Sequence, residues 1–253
     1  MFDPQKTLII TDFDGTLSKR YIDGKPVVFM MQILEEHQDL SPDFSIKISK
    51  LREKYYPYEI NPSLDENTRD QKIMEWWQAC FNVMEEMNLT KEILTKVARD
   101  PKLELRDKVS DFLIFAKEKK IPVVINSSAG IASVVIPIML EDRHLFSENI
   151  KIVANDFIFD EAGKFIGVDG PIITAVNKNG HMLIKKGVYR QGDKSQCLLI
   201  GDGFGDAKMA DGLSFDKLYK VVFAEKNLDE FRSRFDEVLD INADFSRIIE
   251  LFD

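Results

Sequence analysis

Short apolar runs punctuate this chain at residues 8–11, 123–125, 151–154, 197–200 and 221–224. Most are rich in Val and Ile, the pattern of strands buried on both faces. Between several of them the apolar positions fall at helical spacing. In residues 106–120, Val109, Phe112, Leu113 and Ala116 share one helical face. Strands alternating with helices predict an α/β fold around a parallel sheet. Residues 157–166 read as a hairpin around a turn that contains Gly163. From residue 21 to about 102 the pattern changes to helical periodicity with little strand signal. The expected organisation is therefore a core of residues 1–20 and 103–253, with a helical unit of residues 21–102 inserted into it.

The first apolar run ends in Thr11-Asp12-Phe13-Asp14-Gly15-Thr16. Side chains alternate along a strand, so Asp12 and Asp14 are expected on one side where the sheet stops. Gly15 permits the sharp turn that follows. Adjacent carboxylates repel unless a cation or a shared proton lies between them. In open α/β sheets, that carboxyl edge is also where ligands bind.

This DxDGT arrangement resembles the first motif of the haloacid dehalogenase superfamily, most of whose members are phosphatases. Three further signatures follow in the superfamily's order. A β-branched run ends in Asn126-Ser127-Ser128-Ala129-Gly130, where a hydroxyl and free N–H groups at a helix start suit a phosphate, or simply cap the helix. Lys178 occupies the lysine position. The run 197–200 leads into Gly201-Asp202-Gly203-Phe204-Gly205-Asp206, aspartates interleaved with glycines just past a strand. The resemblance implies a Rossmann-like parallel sheet with an inserted helical cap that closes over the site and reads the leaving group.

Phosphoryl transfer asks for a positioned nucleophile, positive charge around the equatorial oxygens and a proton for the leaving alcohol. Asp12 is assigned as nucleophile, forming an aspartyl-phosphate, and Asp14 as general acid and later base. Asp12, Asp14 and Asp202 would repel one another and an incoming phosphate, and magnesium, Mg²⁺, relieves both repulsions. The superfamily implies that Asp14 binds the metal through its main-chain carbonyl and that Asp206 orients the metal shell or the lysine. Asp206 also reads as a helix N-cap. Ser128 and the Ala129 N–H, with Gly130, would hold phosphoryl oxygens, and Lys178 would neutralise the phosphate.

In the insertion, Glu53-Lys54-Tyr55-Tyr56-Pro57-Tyr58-Glu59-Ile60-Asn61-Pro62 and Met74-Glu75-Trp76-Trp77, followed by Ser128-Ala129-Gly130-Ile131, resemble the cytosolic 5′-nucleotidase III, or pyrimidine 5′-nucleotidase, family. That likeness runs from about residue 6 to the carboxyl terminus. It implies Mg²⁺-dependent hydrolysis of nucleoside 5′-monophosphates, usually pyrimidine ones. Carried over by position, Glu59 meets the nucleoside, and Trp76 and Cys80 line the base pocket. A carboxylate accepts from an exocyclic amino group, and an indole offers a stacking surface. Ile73, Trp77, Cys80, Phe81 and Met84 also form a core stripe, so at least one tryptophan is expected to be structural. The chain departs from the family at Ala132-Ser133, where relatives carry Gly-Asp. It also has one residue more before Ser-Ala-Gly, which makes Ser127 a rival to Ser128.

Net charge is −9, which argues against a nucleic-acid surface. Cys80 and Cys197 are the only cysteines, as in a reducing compartment. No signal-like leader or bilayer-length apolar run stands out, and a cytoplasmic monomer with a small nucleotide substrate and no membrane partner is expected. A phosphatase for another small monoester such as phosphoserine is the competing enzyme. It would want a cap arginine for the substrate carboxylate, and Arg52, Arg69 and Arg99 stand in no recognisable motif. A non-catalytic nucleotide-binding protein is the competing class.

Overall fold

The computed structural model describes residues 1–27, 29–59, 61 and 63–253. In chain order its elements are β1 (Thr7–Thr11), β2 (Tyr21–Ile22), β3 (Lys25–Pro26), α1 (Met30–Glu35), α2 (Pro42–Glu59), α3 (Glu66–Glu86), α4 (Lys91–Ala98) and α5 (Val109–Glu118). Then come β4 (Val123–Asn126), α6 (Ala132–Asp142), β5 (Ile150–Val153), β6 (Asp156–Phe159), β7 (Phe165–Asp169) and α7 (Gly180–Lys185). β8 (Gln196–Gly201), a 3₁₀ turn (Phe204–Lys208), β9 (Lys217–Ala224), α8 (Leu228–Arg232), β10 (Glu237–Asp240) and α9 (Ser246–Glu250) complete it.

Six strands form one sheet in the order β10-β9-β8-β1-β4-β5, and every pairing is parallel. The α/β parallel-sheet reading thus describes the core. All five residues of β1 are buried, as expected for a central strand with both faces covered. Alternation splits the core in two. Ile9, Ile125, Leu198 and Phe223 pack with α5, α6 and α9 on one face. Leu8, Ile10, Val124 and Leu199 pack with α7 and α8 on the other. Each large apolar side chain so buried contributes about 1.5–3 kcal/mol.

Two features differ from the sequence pattern. β10 went unread because it is a four-residue edge strand, half-exposed and flanked by acidic residues, so its apolar signal is weak. β2 and β3 form a small antiparallel hairpin inside the mainly helical stretch 21–102, each only two residues long. The expected hairpin at 157–166 is β6–β7, a separate antiparallel pair.

Between β3 and α5 the chain folds as helices α1 to α4. Asp65 caps α3, its carboxylate accepting from the Thr68 N–H at 2.9 Å. Phe44, Ile48, Phe81, Met84 and Leu94 of these helices belong to the same apolar cluster as Ile9 and Phe13 of the core. Residues of α1, α2 and α3 share a cavity with the strand-end residues Asp12 and Asp202, and α4 packs on α6 and α1. Ile60 and Pro62 of the sequence motif lie outside the described residues.

Candidate active site

β1 lies between β4 and β8, and Thr11 pairs in register with Ile125 on one side and Ile200 on the other. The residues just past these three strand ends, Asp12, Ser127 and Asp202, are consequently neighbours. The Asp12 N–H donates to the Ile200 carbonyl at 3.0 Å, which fixes it at the end of the ladder. β1 stops at Thr11, so strand alternation does not extend to Asp14; the turn that follows brings Asp14 to the same cavity as Asp12. Gly15 has φ +79°, and a Cβ there would lie 2.3 Å from Asp202 Oδ2. Glycine thus serves two needs at once, the turn and the close approach of the two acidic loops.

Arg106 secures the turn from below. Its guanidinium is buried and donates to the carbonyls of Gly15, Thr16 (2.8 Å), Ile241 and Ala243 (3.0 Å) while lying over the Phe223 ring at 4.0 Å. Burial lowers its pKa to about 10, still far above neutrality, so it stays charged without a carboxylate partner. Nothing in the sequence pattern pointed to this residue.

Lys178 is buried and reaches Asp12 Oδ1 at 2.7 Å and Asp206 Oδ1 at 2.5 Å. Burial opposes its charge, but those two carboxylates outweigh burial and hold the ammonium protonated. Asp206 accepts with its other oxygen from the N–H groups of Asp202 (2.9 Å) and Gly203 (2.8 Å). Both Asp206 oxygens are therefore engaged in holding the lysine and the loop. Burial pushes Asp12 up to about 6, with Lys178 pulling against it and Asp206 adding to it. Asp14 is pushed up to about 8 by burial and by the Asp12 carboxylate. A carboxyl with that value carries its proton at neutral pH, and its buried Oδ1 has no hydrogen-bond partner among the described residues. Asp202 is also raised well above the usual carboxylate range by burial and by Asp12. Arg20, at 3.6 Å from Asp202 Oδ2, pulls the other way.

Carboxylate oxygens of Asp12, Asp202 and Asp206 lie within 4.8 Å of one another. These three acids face one ammonium and one guanidinium, and hard oxygen donors of this kind fit a small divalent cation such as Mg²⁺.

Above this floor is a cavity of about 410 Å³. Asp12, Asp14, Ser127, Ser128, Ala129, Lys178, Asp202 and Asp206 line it from the strand ends and the loops beside them, and Glu59 of α2 with Trp76, Trp77 and Cys80 of α3 line the opposite wall. Of the residues assigned from sequence to catalysis, metal or substrate, Gly130 alone is not on the lining; it lies under Trp77, whose ring would be 2.5 Å from a Cβ at that position. Ser127 is buried and its Oγ accepts from the Ala129 N–H at 3.3 Å, while Ser128 is half-buried. At the departure from the family pattern, Ala132 opens α6 and Ser133 Oγ donates to the Asn155 carbonyl at 2.6 Å.

In the cap, Glu59 ends α2 and burial raises its pKa above the ordinary value. Tyr55, Trp76, Trp77 and Phe81 form a ladder of near-parallel rings with successive centroids 6.4, 6.5 and 5.8 Å apart. Ile73, Cys80, Phe81 and Met84 are core, and Cys80 also meets the cavity, its thiol pushed up to about 12 by burial and by Glu35. Tyr55 is buried, whereas Tyr56 is exposed.

Glu35 was not singled out from sequence, and Arg52 was set aside for want of a motif. Glu35 of α1 and Arg52 of α2 form an ion pair on the cavity lining. They stand 17 positions apart on different helices, so no local motif could announce them. Arg69 instead donates to the carbonyls of Asn61 and Leu64, and Arg99 pairs with Asp142. A larger cavity of about 660 Å³, between Arg20, Arg106 and Glu225, is lined by none of the acidic floor groups.

The chain matches the family described as "Pyrimidine 5'-nucleotidase (UMPH-1)" over residues 15–246. It belongs to that family. It is 30% identical over 239 residues to the Xenopus laevis 7-methylguanosine phosphate-specific 5′-nucleotidase B, covering 94% of this chain and 82% of that protein. The Homo sapiens 7-methylguanosine phosphate-specific 5′-nucleotidase is 30% identical over 235 residues, covering 92% and 78%. Among solved structures, cytosolic 5′-nucleotidase IIIB bound to cytidine superposes with a TM-score of 0.85 at 26% identity, over 98% of this chain and 85% of that one. A substrate-bound phosphoserine phosphatase shares the fold, with a TM-score of 0.58 at 17% identity over 98% and 99%. The chain is thus a 5′-nucleotidase, a phosphoric monoester hydrolase with a haloacid dehalogenase-like fold.

Proposed function

We propose that this 5′-nucleotidase hydrolyses nucleoside 5′-monophosphates, pyrimidine ones first among them, through an aspartyl-phosphate on Asp12. The observation that carries the reading is the joining of a phosphate-handling floor and an aromatic, acidic cap wall in one cavity.

The substrate phosphoryl group lies against Lys178, the Ser128 hydroxyl and the Ala129 N–H, with Ser127 as the alternative hydroxyl. A carboxylate oxygen of Asp12 attacks phosphorus, and the bond to the nucleoside 5′-oxygen breaks. Asp14 gives that oxygen its proton and the nucleoside leaves. Asp14, now ionised, takes a proton from water as the water oxygen attacks the phosphorus of the aspartyl-phosphate. Phosphate leaves, and both aspartates return to their starting states. Asp12, Asp202 and the Asp14 main-chain carbonyl would hold Mg²⁺, which when bound neutralises charge on the phosphoryl oxygens. Asp206 keeps Lys178 aimed at Asp12, as its ion pair and its two N–H bonds support.

Glu59 accepts from an exocyclic amino group of the base, Trp76 supplies the stacking surface and Cys80 closes the pocket. A cytidine complex of the related IIIB enzyme supports cytidine monophosphate as a substrate. A second reading is 7-methylguanosine monophosphate, the substrate in the names of the curated relatives. Its methylated base is cationic, and two wall carboxylates, Glu35 and Glu59, against one Arg52, with indole faces beside them, favour a cation. Phosphoserine fares worse, because Glu35 already neutralises the one cap arginine on the lining. The cytosolic setting in the name of the IIIB relative supports a cytoplasmic place for this chain; that it acts there as a monomer is our expectation from sequence.

The test is phosphate release from CMP, UMP, GMP, 7-methyl-GMP, phosphoserine and p-nitrophenyl phosphate, with Mg²⁺ and with EDTA. Selective, EDTA-sensitive turnover of CMP and UMP is expected. Preference for 7-methyl-GMP would move the base assignment to the second reading. Tight nucleotide binding without turnover would leave a binding protein instead.

A further inference from the structure

Lys178 sits at the end of a loop that is braced almost entirely by its own polar groups. Asn155 receives the Ile173 N–H at 2.7 Å and donates to the Ile173 carbonyl at 3.0 Å. The Asn177 side chain accepts from the Thr174 N–H at 2.8 Å and donates to the Ile172 carbonyl at 3.0 Å. The Lys178 N–H itself donates to the Thr174 carbonyl at 3.1 Å. At the centre is the fully buried Thr174, whose hydroxyl accepts from the N–H groups of Val176 (3.2 Å) and Asn177 (3.1 Å).

A hydroxyl has one proton and two lone pairs. With both lone pairs used inside the loop, its proton is left to fix the rotor, and it goes to the cap: Thr174 Oγ1 donates to Asp70 Oδ1 of α3 at 2.9 Å. Around that bond the seam between α3 and the loop is open, a polar cavity of about 450 Å³ lined in part by Asp70, Val176 and Asn177. One turn earlier on the same helix face, Glu66 pairs with Lys208 of the turn that carries Asp206. That second contact is solvent-exposed on both sides and adds little energy; the Asp70 bond, to a buried hydroxyl, is the stronger tie. From Asp70, α3 rises about 9 Å, at 1.5 Å per residue, to Trp76, which lines the catalytic cavity.

We propose that Asp70 of the cap is a positioning residue for Lys178, acting through the Thr174 hydroxyl. Seating of the nucleoside-facing helix and placement of the phosphate-facing lysine are then one event. The inference rests on the reading that Lys178 contacts the transferred phosphate, and the two are tested apart.

Steady-state kinetics with CMP and with p-nitrophenyl phosphate separates the possibilities. Asp70→Ala lowers kcat about tenfold for both esters, the scale on which small misplacements act, and leaves KM for CMP within about twofold. Asp70→Asn, whose amide oxygen accepts the same bond, restores at least half of the lost kcat. Thr174→Val, which also strips the Val176 and Asn177 N–H groups of their acceptor, loses at least as much kcat as Asp70→Ala, and the double variant is no worse than Thr174→Val alone. Unchanged kcat in Asp70→Ala, a loss confined to KM or to CMP, failed rescue by Asp70→Asn, or multiplying losses in the double variant each overturn the proposal. Thermal melting of Asp70→Ala within a few degrees of wild type is expected; the Asp70→Asn arm distinguishes a lost bond from a lost fold. In parallel, Lys178→Met that keeps full activity would sink the reading of Lys178, whereas an inactive Lys178→Met beside a normal Asp70→Ala would sink the latch alone.

Discussion

At the strand ends, Lys178 binds two carboxylates at once and Asp206 has both oxygens occupied, so each charge is held by another within a buried network. On the cap wall, burial alone raises Glu59, the Glu35–Arg52 pair is part-exposed, and Trp76 and Trp77 lean on each other rather than on a polar frame. The floor is buried, charge-coupled and built from adjacent strand ends and the Lys178 loop. The wall draws on three helices and offers surfaces more than fixed bonds. Chemistry common to all phosphate esters needs the first arrangement, and choice among leaving groups needs the second.

Removing Asp12, the nucleophile proposed above, is the largest way to break that contrast. Asp12→Asn is expected to lower kcat by roughly 10⁴-fold or more for every ester, as loss of a nucleophile does elsewhere, while circular dichroism shows the same fold. Substantial Mg²⁺-dependent turnover in that variant would contradict the assignment of Asp12.

Lys178→Met comes next. It removes the one ammonium between two buried carboxylates, so it costs roughly 10²–10³ in kcat and about 3–5 kcal/mol of stability, the scale for a broken buried pair. Chemical denaturation reads the second number. A variant as stable as wild type would mean that Asp12 and Asp206 do not depend on the lysine.

The wall gives smaller effects of a different kind. Trp76→Ala should raise KM for nucleotides about tenfold through the lost stacking surface, with kcat for p-nitrophenyl phosphate unchanged. Glu59→Gln should act similarly on CMP and in the opposite sense on stability. The folded protein binds the Glu59 proton more tightly than the unfolded chain does. Stability attributable to this group is therefore present below its unfolded value, near 4.5, and is lost as pH rises through the raised folded value. Glu59→Gln escapes that loss, so its melting temperature exceeds wild type at pH 7 and the gap closes toward pH 4. A gap that is absent or reversed would show that Glu59 is not paying desolvation in the folded state.

The same contrast explains what could be read in the sequence. Asp12, Asp14, Ser128, Asp202 and Asp206 follow directly after apolar strands, and strand ends of one parallel sheet must converge, so their meeting in one cavity was legible. Lys178 was legible only by its order among the motifs, since Asn155, Thr174 and Asn177 build its loop from residues that look like any surface turn. The wall was read in part. Glu59, Trp76 and Cys80 do face the cavity, but Glu35 and Arg52 meet only through helix packing, and Gly130 turned out to lie beneath Trp77. Arg20, Asp70 and Arg106 act across long sequence separations, for which periodicity carries no signal.

The division of labour between floor and wall is tested most directly by one ratio, kcat/KM for CMP over kcat/KM for p-nitrophenyl phosphate, in wild type and in the Glu59→Gln/Trp76→Ala double variant. The ratio is expected to fall by about 10²-fold, entirely through the nucleotide, with the aryl phosphate turned over as before. A parallel fall for both esters, leaving the ratio unchanged, would contradict the account by showing that the wall serves the chemistry and not the choice of substrate.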